Sequence, residues 1–215
     1  IQDLTSLLSL NYTDKFLARA IFNSLGVSAK DGDSFIEALE DWKDADNLRS
    51  SNGAEEDYYR SQNKKGPRNG YLQSMSEVEY IKGAQILTFE QWKEYTTIEL
   101  ISSFNPLNSP VAILNALIKN GSAVKEVVEL RANGALTGTD FYRITGIEQD
   151  EFLSFSTGQR LLVTIKAQEN LLQPANNGDN TKKIKQQVVK SFVVTLNVRS
   201  QLQPIIITDM TWNTL

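Results

Sequence analysis

The hydrophobic period of this chain changes once, near residue 154, and the change separates two parts that must fold differently. Between residue 11 and about residue 153, apolar residues recur at helical spacing. Phe16, Leu17, Ala20, Ile21 and Leu25 share one face, and Gly26 is placed to end that helix. Beyond residue 154 the period falls to two. Leu161, Val163, Ile165 and Ala167 alternate with Leu162, Thr164 and Lys166. Phe192, Val194, Leu196 and Val198 alternate with Val193, Thr195 and Asn197, and "PIIITDMTW" supplies a third run. Three strands with polar connections such as "QPANNGDN" predict an antiparallel meander with one buried face. That face needs a cover, and the chain offers no obvious long helix to lie across it. The fold class is α+β.

Helix-start signals recur through the first part. Ser34 to Glu37, Ser74 to Glu77 and Thr88 to Gln91 all have capping-box spacing. Pro110 reads as a first-turn proline, with Gly121 closing the helix that carries Leu114, Leu117 and Ile118. A further helix over about Ala123 to Ala132 stops at Asn133-Gly134, and a short one begins near Thr139. The stretch "SQNKKGPRNGYLQ" reads as a long mobile loop.

Two absences narrow the chemistry. The 215 residues contain no Cys and no His, which excludes disulfides, thiolate nucleophiles, Ser/His/Asp triads and the usual zinc sites. Any catalysis would rest on carboxylates, Lys or Tyr. A net charge of -4 argues against a polyanionic partner such as nucleic acid. No apolar run approaches a membrane span, and the opening "IQDLTSLLSL" lacks Met and a basic lead, so the expectation is a piece of a longer protein.

One segment concentrates charge. In "DWKDADNLRSSNGAEED", Asp41, Asp44, Asp46, Glu55, Glu56 and Asp57 are answered only by Lys43 and Arg49. A solvated surface is the bland account of such a run. Here, however, helix-competent residues carry the first acids, the chain turns through Asn47, Ser50, Ser51, Asn52 and Gly53, and acids return. Hard oxygen ligands then converge from two directions, as calcium requires, although the EF-hand register is absent. The candidate ligands are Asp44, Asp46, Asn52, Glu55, Glu56 and Asp57. A carboxylate-dependent hydrolase is the enzymatic alternative, with Trp42 or Tyr58 as the apolar wall that raises one pKa.

A second stretch, residues 104 to 146, resembles a helix-hairpin-helix. In nucleic-acid-binding members a Gly-x-Gly turn lets backbone amides approach a phosphate. Here the turn, Lys119 to Ser122, holds one glycine, and Glu126 and Glu129 follow it, which favours a packing module.

"ALEDWKDADNLRSSNGAEEDYY" followed by "GPRNGYLQSMSEVEYIKG" resembles the signature block of the type II secretion system minor pseudopilin K (GspK) family. The matching features are Asp41-Trp42, Asp44 and Asp46, Gly53 to Tyr59, Asn69, Ser74 to Glu77, and Gly83, with "DLTSLLSLN" resembling the family's lead-in. The resemblance implies a pilin-like antiparallel sheet bearing a large all-helical inserted domain, part of it helix-hairpin-helix-like. Residues 1–10 would be the first pilin-type strand, 11–153 the insertion with its acidic metal loop, and 154–215 the C-terminal meander. It further implies bound calcium, no catalysis, and a place at the tip of a periplasmic pseudopilus with the I and J minor pseudopilins, supporting export across the outer membrane. Secreted substrates and the outer-membrane secretin are further partners on this reading, nucleic acid is not, and a missing N-terminal helix would anchor the full-length protein in the inner membrane.

Overall fold

The computed structural model describes residues 1–101, 103–173, 182–196 and 205–214, and divides the chain into two compact units. Residues 1–4 with 158–215 form one unit, and residues 5–157 the other. The strands in chain order are β1 (Gln2–Asp3), β2 (Leu8–Ser9), β3 (Thr96–Thr97), β4 (Arg160–Gln173), β5 (Lys182–Leu196) and β6 (Ile205–Thr214). The α-helices are α1 (Lys15–Ser24), α2 (Ala29–Lys43), α3 (Glu56–Ser61), α4 (Phe89–Tyr95), α5 (Val111–Leu117), α6 (Gly121–Ala132) and α7 (Gly138–Thr145).

The strand unit is an antiparallel sheet of order β1-β4-β5-β6. Its register sets Leu161 opposite Val194 and Val163 opposite Phe192, so the alternating apolar positions of neighbouring strands share a face. A register shift at Val193/Val194 marks a bulge against β6. The predicted connection "QPANNGDN" and Val198 lie almost wholly outside the described residues.

The expected first strand over residues 1–10 is much shorter. Only Gln2 and Asp3 pair with β4, and residues Leu4–Ser6 make a 3-10 turn. Leu8 and Ser9 then pair in parallel with Thr96 and Thr97 inside the helical unit. The reason is burial on both sides: Leu7, Leu8 and Leu10 are all 0–1% exposed, and a run without alternation cannot continue in a sheet with one apolar face. The boundaries therefore fall at 4/5 and 157/158 rather than 10/11 and 153/154.

Within the helical unit, Asp14 caps α1 by accepting from Leu17 N, and Gly26 takes a left-handed φ of 83° just after the helix. The buried face of α1 is Ala18, Ile21 and Phe22; Phe16, expected inward, is 82% exposed. Phe22, Phe35 and Trp92 stack mutually at centroid distances of 4.6–5.8 Å, and the Trp92 indole donates to the Ala84 carbonyl at 2.9 Å. The box at Thr88 and Gln91 forms as predicted. Glu77, by contrast, leaves Ser74 and pairs with Arg68, and residues Met75–Tyr80 tighten into a 3-10 turn. Helix α2 starts at the Ser28 cap, well before the expected Ser34, because its first turn offers periodicity only Ala29 among charged residues and a glycine.

The expected mobile loop at 61–73 is pinned. Asn69 N donates to Trp42 O at 3.0 Å, and Arg68 grips Glu77 at 2.5 and 2.6 Å. The buried Asn11 amide donates to Leu72 O and Ile98 O at 2.9 and 2.6 Å and accepts from Leu72 N at 2.8 Å. The final helices surround Leu114, Ile118, Val124, Val127 and Phe141. Gly121 opens α6 rather than closing α5, because Asn120 turns its side chain to accept from Ser122 N and so caps α6.

Candidate metal centre

Helix α2 buries Phe35, Ile36, Ala38, Leu39 and Trp42, and Asp41 is carried into the same buried stripe, fully enclosed at 0% exposure. Asp44, one turn on, ends the helix with extended backbone. The chain then loops out and returns to Glu55, which caps the backbone of α3 without a side-chain cap bond. This route brings one oxygen each of Asp41, Asp44 and Glu55 within 4.8 Å of one another.

The Asp41 carboxylate accepts from Ser50 N at 3.1 and 3.3 Å. Glu55 is 3% exposed, and neither of its carboxylate oxygens has a hydrogen-bond partner. A buried carboxylate left this way is costly, since burial without compensation disfavours the charged form. Its pKa is accordingly pushed up to about 7, first by burial and then by the negative charges of Asp41, Asp44, Asp46 and Asp57. Asp44, although exposed, is raised in the same direction, by desolvation and then by Asp46 and Asp41. Either a proton or a cation among these oxygens relieves such a shift. The donor set is all hard oxygen, which suits calcium.

Of the six expected ligands, the structure brings together Asp44 and Glu55. Asp46 adds charge beside them while its Oδ1 accepts from Leu48 N at 2.8 Å. Asn52 is turned outward: its N and Nδ2 donate to Glu37 at 2.6 and 3.3 Å. Glu56 pairs with Arg60 one turn on, and Asp57 accepts from Tyr58 N. Asp41 was missing from the expected set. Its signal was present, because it stands three residues after Ala38 and beside Trp42, among the helix's buried positions.

Gly53 closes the loop against this centre. Its N donates to Ser50 O at 3.0 Å, and a Cβ there would lie 2.0 Å from Asp41 Oδ2. Lys82 Nζ donates to Asn52 O and Gly53 O at 2.8 and 3.0 Å and lies over the Tyr58 ring.

The hairpin of α5 and α6 uses its basic residue differently. Arg131 donates to the carbonyls of Ser109 and Leu107 at 2.5 and 3.4 Å, tying α6 to the segment before α5. Glu126 on α6 pairs with Arg143.

Residues 6–99 match the family described as type II secretion system (T2SS), protein K. The whole chain is similar in fold to a chain in the crystal structure of the GspK-GspI-GspJ complex from the enterotoxigenic Escherichia coli type 2 secretion system. The identity is 13%, the TM-score 0.59, and the match covers 100% of this chain and 78% of that one. No curated protein matches the chain. Among the described residues, no helix is long and apolar enough to cross a membrane.

Proposed function

We propose, from the match of residues 6–99 to the type II secretion system protein K family, that the chain is a minor pseudopilin capping the tip of the type II secretion pseudopilus. It assembles there with the I and J minor pseudopilins and supports export across the outer membrane. The family match over residues 6–99 carries the reading. Chain topology supports it: β1 and β4 are neighbours in one sheet, yet residues 5–157 intervene between them as a unit of their own. A filament grows by repeating one head-to-tail contact, and a subunit carrying so large an insertion is suited to end the series rather than continue it. The role is one of assembly, without catalysis. The domain is placed in the periplasm, with the full-length protein anchored in the inner membrane before assembly.

Calcium belongs to the same reading, held by Asp41, Asp44 and Glu55 with Asp46 adding charge. The unpartnered Glu55 oxygens support it. A ligand specific to the folded state adds RT ln(1 + [L]/Kd), about 2.7 kcal/mol at a hundredfold excess over Kd. Melting in millimolar calcium should therefore exceed melting in chelator by several degrees, and superimposable curves refute the ion.

The assembly is tested by mixing this chain with cognate I and J soluble domains and measuring mass by size exclusion with light scattering. The chain alone should be monomeric and the mixture a one-to-one-to-one complex. Homopolymers, or no complex at tens of micromolar, overturn the tip-cap function.

A further inference from the structure

Glu37 is not among the acids that converge, yet it is bonded to the loop that carries one of them. It lies one helical turn before Asp41 on α2, so both carboxylates reach the same stretch of loop. Asp41 takes the amide of Ser50, while Glu37 takes both the backbone N–H and the side-chain amide of Asn52. From the other side Lys82 holds the carbonyls of Asn52 and Gly53, and the Ser34 hydroxyl donates to Asn52 O at 3.3 Å. Asn52 is thus gripped at its N–H, its carbonyl and its side chain, only three residues before Glu55. Gly53, between them, lies so close to Asp41 that it has no room for a side chain.

We infer that Glu37 is a positioning residue for the cation centre: by anchoring Asn52 it fixes the path of residues 50–55 and sets the Glu55 carboxylate against Asp41 and Asp44. Asn52 is then an anchor for the loop rather than a ligand. This inference rests on the calcium reading above. Glu37 also carries a negative charge near the ion, and that second role must be separated from the first. Glutamine separates them, because its carbonyl oxygen still accepts from Asn52 N while its charge is gone.

The test is calcium titration of the intact chain, followed by isothermal calorimetry and by terbium luminescence sensitised through Trp42. Groups that orient ligands without touching the metal change affinity by about 10- to 100-fold when removed. Glu37→Ala should therefore weaken calcium at least about tenfold, whereas Glu37→Gln should stay within about threefold of wild type. Circular dichroism in chelator checks that both variants fold; should Glu37→Ala not fold, a Glu37→Gln affinity weakened beyond about threefold still overturns the inference. Equal weakening in the two variants reduces Glu37 to a distant charge and overturns the inference, as does unchanged affinity in Glu37→Ala. No saturable binding by wild type removes the calcium reading itself, a result distinct from either.

Discussion

Replacing Gly53 by Ala tests the centre with one methyl group. The added Cβ would stand 2.0 Å from Asp41 Oδ2, 2.6 Å from its Cγ and 3.0 Å from Oδ1. Non-bonded heavy atoms sit at about 3.5 Å, so one partner must move by more than about 1 Å. Asp41 has little freedom: it is fully buried on α2 and holds Ser50 N with both oxygens. If its carboxylate swings away, those charge-assisted bonds go with it, costing about 1.5 kcal/mol, and overpacking adds about 1–3 kcal/mol. The expected total is about 3 kcal/mol in chelator, read as a lower urea midpoint at unchanged m-value. Because Asp41 leaves the oxygen cluster, calcium affinity should also fall at least about tenfold. Gly70→Ala is the control: its Cβ would meet nothing nearer than Arg68 Cγ at 3.9 Å, so its effect should stay within about 0.5 kcal/mol. A Gly53→Ala protein that matches wild type in both midpoint and affinity refutes the placement of Asp41 beside this loop.

Three further outcomes are expected. The Glu55 carboxyl has an ordinary value of 4.5 and is pushed up to about 7, so its penalty is absent below 4.5, grows as pH rises and is complete above about 7. In chelator, Glu55→Gln should gain about 3 kcal/mol on wild type between pH 4.5 and about pH 8, measured by urea unfolding; a pH-independent difference refutes the shift. Arg68→Met leaves the Glu77 carboxylate, whose side chain is 12% exposed, with the Gln73 N–H as its remaining partner, and should lower the urea midpoint at neutral pH. Asn11→Ala abandons three hydrogen bonds to Leu72 and Ile98 and should cost about 2–3 kcal/mol by chemical denaturation, with an increase in proteolysis near residue 72 as the independent readout.

The parts of the fold legible in the sequence were those where one local signal acts alone. The change of period near residue 154 separated helices from strands, and the Thr88 box and the Gly26 stop acted within single turns. Signals failed where a distant contact competed for the same atoms. Ser34 and Glu37 have the spacing of a capping box, but Ser28 had already started the helix, and both side chains reach instead to Asn52, 15 to 18 residues away. Glu77 similarly prefers the guanidinium of Arg68 to the Ser74 backbone, since a charge-assisted pair is the stronger bond. The family resemblance implies a strand over residues 1–10, yet Leu7 and Leu8 are buried on successive positions, which no one-faced sheet allows.

The acidic segment divides along the same line. That carboxylates converge there follows from two acidic arms around a turn, and the sequence shows both arms. Which carboxylates converge depends on burial. Asp41 is drawn inward by the apolar stripe of α2, whereas Glu56 and Asp57 stand in the first turn of α3. Glu56 has a lysine-free route to a cation of its own, Arg60, at helical spacing, and needs no metal. Glu55, one residue earlier, points where no N–H or cation meets it. A charge run on the sequence is thus sorted by burial as well as by partners: Glu56 finds Arg60 on the surface, whereas Asp41 and Glu55 are enclosed in the fold and their oxygens meet there. Glu37 completes the sorting from outside, because its partner is the loop itself.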